Sequence, residues 1–175
     1  MENAGENKEK QTNGSEGSFT RYQLIVFKQG EEEYAMHIDQ IKEVVITPNI
    51  TRMPQTSSYI KGVANIRGNI IAIVDLEEKF GLGKTNAEVL NHSKNFTLVI
   101  ESEEFKIGLL VKEVPNTLTV TDKDIDESVN IVGDGAVDKN YIKGIVKVDK
   151  RLIILIDIYK VMSKEELGKT ITAGV

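Results

Sequence analysis

Asp75 and Asp157 each end an apolar run, Ile70 to Val74 and Leu152 to Ile156, at matching places in two similar stretches of chain. Paired aspartates on a duplicated β scaffold can share one proton and activate water. Dyads of that kind sit in Asp-Thr-Gly or Asp-Ser-Gly. Here the continuations are Leu76-Glu77 and Ile158-Tyr159. An aspartate just ahead of a helix can instead accept hydrogen bonds from the first free backbone amides, and Glu78 completes a capping-box-like pattern with Asp75. Capping is the expected role of both aspartates, and an aspartate-dependent hydrolase is the enzymatic alternative.

Other chemistry has little to draw on. His37 and His92 stand in different contexts with no further donor at ligand spacing, and a metal site needs several convergent donors. There is no cysteine, which removes disulfides, thiolate ligands and thiol nucleophiles together. The Walker-type phosphate loop, the GxGxxG fingerprint and the GxSxG elbow are all missing from the sequence. No catalytic residue, metal or cofactor is therefore expected. A net charge of -5 argues against nucleic acid or an anionic membrane as partner. The apolar run Leu152 to Ile156 is far short of the ~20 residues of a membrane helix, so no direct membrane insertion is expected. The N-terminus has no apolar segment of signal-peptide length. The triplets at Asn49, Asn91 and Asn95 then read as chance matches to the glycosylation pattern, and the expected location is the cytoplasm.

Positioning falls to β-strands. Residues 1–18 hold only Met1 and Ala4 as apolar groups and read as a disordered tail. Residues 19–168 read as one folded domain and 169–175 as a frayed end. Runs rich in branched and aromatic residues predict strands at Tyr22–Phe27, Tyr34–Ile38, Val44–Ile46, Ile60–Ile66, Ile70–Val74, Phe96–Ile100, Phe105–Leu110, Tyr141–Val148 and Leu152–Ile156. Short helices are expected at 75–81 and 157–167. Glu31-Glu32-Glu33 reads as a solvated hairpin tip, Asp122 to Glu127 as a surface loop or short helix, and Asp134-Gly135-Ala136 as a turn.

The order of elements repeats. Tyr59-Ile60-Lys61-Gly62 matches Tyr141-Ile142-Lys143-Gly144, and each begins a hairpin that ends in aspartate. Glu33-Tyr34 with Lys42-Glu43-Val44 matches Glu104-Phe105 with Lys112-Glu113-Val114. Two copies of a five-strand unit predict an all-β protein of two small barrels, each formed mainly from one half. Units of ~70 residues have marginal cores of their own, so the two should share an apolar layer lined by Ile70 to Val74 and Leu152 to Ile156.

The halves differ at the hairpin turn. The first has Asn65-Ile66-Arg67-Gly68-Asn69, and the second has Lys147-Val148-Asp149-Lys150-Arg151 without glycine. Gly68 is expected to supply a positive φ. On spacing alone Arg67 could be no more than a solvated tip.

The stretch Tyr59-Ile60-Lys61-Gly62-Val63-Ala64-Asn65-Ile66-Arg67-Gly68-Asn69-Ile70-Ile71-Ala72-Ile73-Val74-Asp75-Leu76 resembles the signature of the CheW family of bacterial chemotaxis coupling proteins. That family reads IKG-V-x-N-L-R-G, an apolar strand, then D-L; Ile66 replaces the usual Leu. Gly30 to Tyr34 and Val44 resemble its first hairpin, and the similarity spans about residues 20–165. The resemblance implies two five-stranded SH3-like barrels packed on a shared hydrophobic core, with short helices. It implies an adaptor that couples the cytoplasmic tips of methyl-accepting chemoreceptors to the regulatory domain of a CheA-type histidine kinase. Recruitment to membrane-associated receptor arrays follows from the same likeness, and self-association within them is left open by the sequence. A CheW-like regulatory module of another signalling kinase is the alternative. Carried over residue by residue, partner binding falls on Arg67 and Asn65, and on Ile41 and Glu43 of the third strand. Gly62, Gly68, Asp75, Gly144 and Asp157 carry structural roles.

Overall fold

The computed structural model describes residues 18–82, 96–128 and 141–162. Most of the expected tail segments, His92, Asn91, Asn95 and the turn at Asp134 lie outside the described residues.

The first repeat gives five strands: β1 (Arg21–Gln29), β2 (Glu32–His37), β3 (Ile41–Ile46), β4 (Ile60–Ile66) and β5 (Asn69–Val74), then α1 (Leu76–Lys79). The second gives β6 (Phe96–Glu101), β7 (Lys106–Val111), β8 (Asn116–Thr121), β9 (Ile125–Asp126), β10 (Ile142–Val148) and β11 (Arg151–Ile156), then α2 (Ile158–Val161). The apolar runs fall inside strands within a residue or two of the sequence reading, except that β3 begins earlier. β8 and β9 lie where the sequence suggested only a polar stretch. Asp122–Asp124 forms a short 3-10 turn ahead of β9, closed by Thr121 and Asp124.

The strands assemble into a six-stranded sheet, β8-β1-β2-β11-β10-β9, and a five-stranded sheet, β3-β6-β7-β5-β4. Five strands per unit were expected, and the two-residue β9 is the extra one. The repeats exchange their first hairpins. β1 and β2, from the first repeat, join β8, β10 and β11 of the second. Reciprocally, β6 and β7 join β3, β4 and β5. Each exchanged hairpin is sealed by one parallel pairing, β2 on β11 and β7 on β5. Every other pairing is antiparallel, including the second junction of each exchanged hairpin, β1 on β8 and β6 on β3.

This exchange explains why so many strands are apolar on both faces. In β1, Leu24 and Val26 enter a core within the six-stranded sheet, while Ile25 and Phe27 enter the layer between the sheets. In β5, Ile71 and Ile73 fill the core of the five-stranded sheet, and Ala72 and Val74 face the shared layer. β11 divides likewise, with Ile153 and Leu155 inward and Ile156 in the shared layer. In these three strands the shared layer takes one face and the strand's own sheet takes the other, whereas β4 and β10 give the buried side chains Ala64, Ile66 and Val146 to their own sheets.

Equivalent details recur. β4 and β10 are each irregular at the glycine of Ile-Lys-Gly, Gly62 and Gly144. Both glycines lie against the backbone of a crossing segment. A Cβ on Gly62 would fall 2.1 Å from the Thr51 carbonyl oxygen, and one on Gly144 2.8 Å from that of Asp126. Asp75 donates its N–H to Tyr59 O at 2.8 Å and Asp157 donates to Tyr141 O at 2.7 Å, which ties the end of each hairpin to its start.

Candidate partner-docking site

Asp75 and Asp157 are helix caps. The Asp75 carboxylate accepts from the Glu77 and Glu78 amides, and that of Asp157 accepts from the Tyr159 amide at 3.1 Å. Each is committed to the first turn of its own helix, at the ends of strands in different sheets. The Asp157 carboxylate also accepts from Gln40 Nε2 at 3.3 Å. The Glu78 carboxylate meets Lys61, so its charge is used across the strand end. Among the described residues no cluster of three His, Cys, Asp or Glu could hold a metal. His37 sits edge-on to Tyr22 at 5.4 Å, and burial, helped by nearby Lys143, holds its pKa below the usual imidazole value.

The β4–β5 hairpin gathers the residues the resemblance singled out. Ile66 and Asn69 are cross-strand partners, which leaves Arg67 and Gly68 as a two-residue loop. Both have positive φ, 53° and 85°. Positive φ at both central positions is the mark of a type I′ turn, whose twist matches that of the flanking strands. Asn65 Oδ1 accepts from the Gly68 amide at 2.9 Å and braces the loop. The second repeat closes its equivalent turn differently, with Asp149 at φ 53° and Lys150 in an ordinary conformation.

Arg67 projects from this tip with 74% of its side chain exposed. Its Nε donates to Glu43 Oε2 at 2.7 Å. Glu43 lies on β3 just past an irregularity in the β3–β6 ladder, between Ile41 and Glu43. There Lys42 turns outward to Glu101, whose carboxylate also pairs with Lys106. The two lysines hold the Glu101 pKa below the usual carboxylate range. Ile41 packs partly buried against the shared core. Arg67 and Glu43 are therefore directly bonded, Asn65 braces the turn that carries Arg67 through the Gly68 amide, and Ile41 anchors the start of the strand that carries Glu43. Val44 and Ile46 of the same strand, and Ile70 beside the tip, expose apolar surface.

The six-stranded sheet carries a charged tip that sequence reasoning did not single out. Arg151, at the start of β11, donates from Nη2 and Nε to the Glu33 carboxylate at 2.7 and 3.0 Å. Glu33 was read as part of a solvated acidic run. The guanidinium instead fixes it and keeps its pKa below the usual carboxylate value.

Charged hairpin tips flanked by exposed apolar side chains, on a scaffold with no metal-binding cluster among its described residues, match the make-up of protein–protein interaction surfaces. The family described as "CheW-like domain" matches residues 23–166, and the chain belongs to that family. It is 29% identical over 150 residues to the chemotaxis protein CheW of Treponema pallidum, covering 85% of this chain and 86% of the relative. It is 31% identical over 144 residues to a probable chemotaxis protein CheW of Rhizobium etli, covering 82% and 89%. Its structure resembles the crystal structure of the scaffolding protein TtCheW from Thermoanaerobacter tengcongensis with a TM-score of 0.69 and 29% identity, covering 81% of this chain and 88% of that one.

Proposed function

We propose that this chain is a non-catalytic chemotaxis adaptor that couples chemoreceptors to a CheA-type histidine kinase and supports control of the kinase's autophosphorylation. Its two sheets act as SH3-like barrels, and the finer partners are the kinase's regulatory domain and the cytoplasmic receptor tip. The protein works in the cytoplasm at membrane-associated receptor arrays. Membership of the CheW-like family supports this reading. Among the described residues no helix is long and apolar enough to cross a membrane.

The observation that carries the site is the Arg67–Glu43 pair on a hairpin tip. A guanidinium held by one nitrogen keeps other donors of its planar fork available for a partner's carboxylate or carbonyl oxygen. The brace from Asn65 and the I′ turn reduce the entropy lost when that fork is captured. Exposed Ile70 beside the tip offers apolar area, and the charged groups set register. Ile41 and Glu43 supply the third-strand side of the same surface. Signal passes as a change in packing among receptor, adaptor and kinase.

The test is Arg67→Glu, read by melting temperature, receptor binding and kinase activation. The melting temperature should stay close to that of the unaltered chain, while receptor binding and activation fall. Unchanged binding and activation would remove Arg67 from the site.

A further inference from the structure

Neighbouring strands of the six-stranded sheet gather charged and aromatic side chains where the chain first crosses to the other sheet. β2 ends at His37, and only Ile38–Gln40 separate it from β3 of the five-stranded sheet. His37 stands opposite Leu24 of β1, and Tyr22, two residues earlier on β1, meets its ring edge-on at 5.4 Å. On its other side β2 runs parallel to β11, with Ala35 opposite Leu155. Two further residues along that register bring Asp157, just past β11, level with His37. Lys143 is the extra residue where the ladder between β10 and β11 slips, between Ile142 and Gly144. Its charge acts on His37, as do the carboxylates of Asp39 and Asp157.

Asp157 is the pivot of this row. Its Oδ1 accepts from the Tyr159 amide at 3.1 Å and from Gln40 Nε2 at 3.3 Å. The first bond caps α2. The second ties down the crossing, because Gln40 is the buried residue of Ile38–Gln40. Ile41 follows directly and opens β3, the strand that carries Glu43. The half-buried His37 ring makes no capping bond to the turn that follows it. Among the described residues the charges that bear on it are Lys143 of one sign and Asp39 and Asp157 of the other.

We infer that His37 is a proton-operated latch on this crossing between the two sheets. Neutral His37 leaves Asp157 to cap α2 and hold Gln40, and the latch is closed. A proton makes the imidazole a cation with two donors. Asp157, level with it and half-buried, is then drawn towards the ring and gives up the Tyr159 and Gln40 bonds. The first turn of α2 and the crossing loosen together. Burial and Lys143 oppose the proton, so the latch stays closed near neutral pH and opens as pH falls below the ordinary imidazole value of about 6.5. The unfolded chain takes that proton more readily, so the stability contributed by neutral His37 is whole above about pH 6.5 and is lost on acidification. As far as the latch reaches docking through β3, it rests on the reading of Glu43 as a partner contact.

His37 and His92 are the two histidines of the chain, so His92→Gln assigns the imidazole signals in NMR spectra of the full chain. The His37 signals should titrate with a midpoint below 6.5, and the Tyr159 backbone amide and the Gln40 side-chain amide should move with that same midpoint. Carboxylates titrate at about pH 4 and give a separate step. In His37→Asn the two amide movements above about pH 5 should vanish. Lys143→Gln, at an exposed position, should raise the His37 midpoint by a few tenths of a unit and carry both amides with it. A His37 midpoint at or above 6.5, amides that do not follow it, or amide movements that survive His37→Asn would overturn the latch. Should His37→Asn fail to fold, Lys143→Gln decides: amides that stay put while the His37 midpoint moves would sink the idea equally. None of these readings involves a partner, so their outcome is separate from the assignment of Glu43 to docking.

Discussion

Arg67 Nε lies 2.7 Å from Glu43 Oε2, although the two residues belong to opposite margins of the five-stranded sheet. In a flat sheet four inter-strand steps of ~4.8 Å would separate β3 from β4 by about 19 Å. The contact therefore needs the sheet to curl until its margins approach, and the isolated bridge between Thr51 and Val63 follows the same curvature. The docking tip and the curl of the sheet are one feature.

The Arg67–Glu43 bond should contribute little to stability despite its short length, because the arginine is mostly in water. A double-mutant cycle of Arg67→Ala and Glu43→Ala should give a coupling of about 0.2–1 kcal/mol in urea unfolding, shrinking as salt is added. A larger coupling that ignores salt would mean the pair is structural rather than free for a partner.

Gly68→Val tests the turn without a steric clash, since nothing lies within 4 Å of a Cβ there. The cost is the backbone alone. At φ 85° a β-branched residue should lose about 1–2 kcal/mol, seen as a lower melting temperature. An unaltered melting temperature would show that the turn carries no such constraint.

Gly62 and Gly144 occupy equivalent places but should not tolerate alanine equally. Gly62 combines φ 140° with a Cβ position 2.1 Å from the Thr51 carbonyl oxygen, and relief requires the crossing backbone to move. Gly144 has the milder 2.8 Å approach to Asp126 O. Gly62→Ala should cost about 3 kcal/mol or more and Gly144→Ala distinctly less. Equal losses in chemical denaturation would contradict the asymmetry of these two crossings.

Tyr34 gives the fold an alkaline limit. Burial beneath Phe80, reinforced by Tyr141 and Glu32, pushes its pKa from 10.0 up to about 12. In the unfolded chain the phenol ionises near its ordinary value, so between pH 10 and 12 the unfolded state releases a proton that the native state keeps. The Tyr34 contribution is fully present below pH 10 and is lost as pH rises towards 12. Phe80→Ala should bring one tyrosine titration, followed by ultraviolet absorbance, back towards the ordinary value. A titration curve identical to that of the unaltered chain would refute burial by Phe80 as the cause.

Much of this was legible in the sequence because it is local. Alternating and continuous apolar runs located nine of the strands, and an aspartate at the end of each apolar arm signalled its helix cap. β8 escaped because an edge strand needs few apolar residues, and of Asn116–Thr121 only Val120 is buried. Its alternation of threonines with Leu118 and Val120 was the available signal. Arg151 and Glu33 meet across 118 residues, and neither side chain announces the other. The exchange of hairpins was equally hidden, since repeat order says which strands exist and not which copy's neighbours they choose. Arg67 and Glu43 were named separately through the family likeness, and their bond emerged only once the sheet had curled.

The traded hairpins mean that neither repeat holds all the strands of one sheet. A lone first repeat would leave β5 without its parallel neighbour and send β1 and β2 out with nothing to join. Two copies of that repeat could each lend the other the missing arms, so the architecture is that of an intertwined pair whose two partners are carried on one chain.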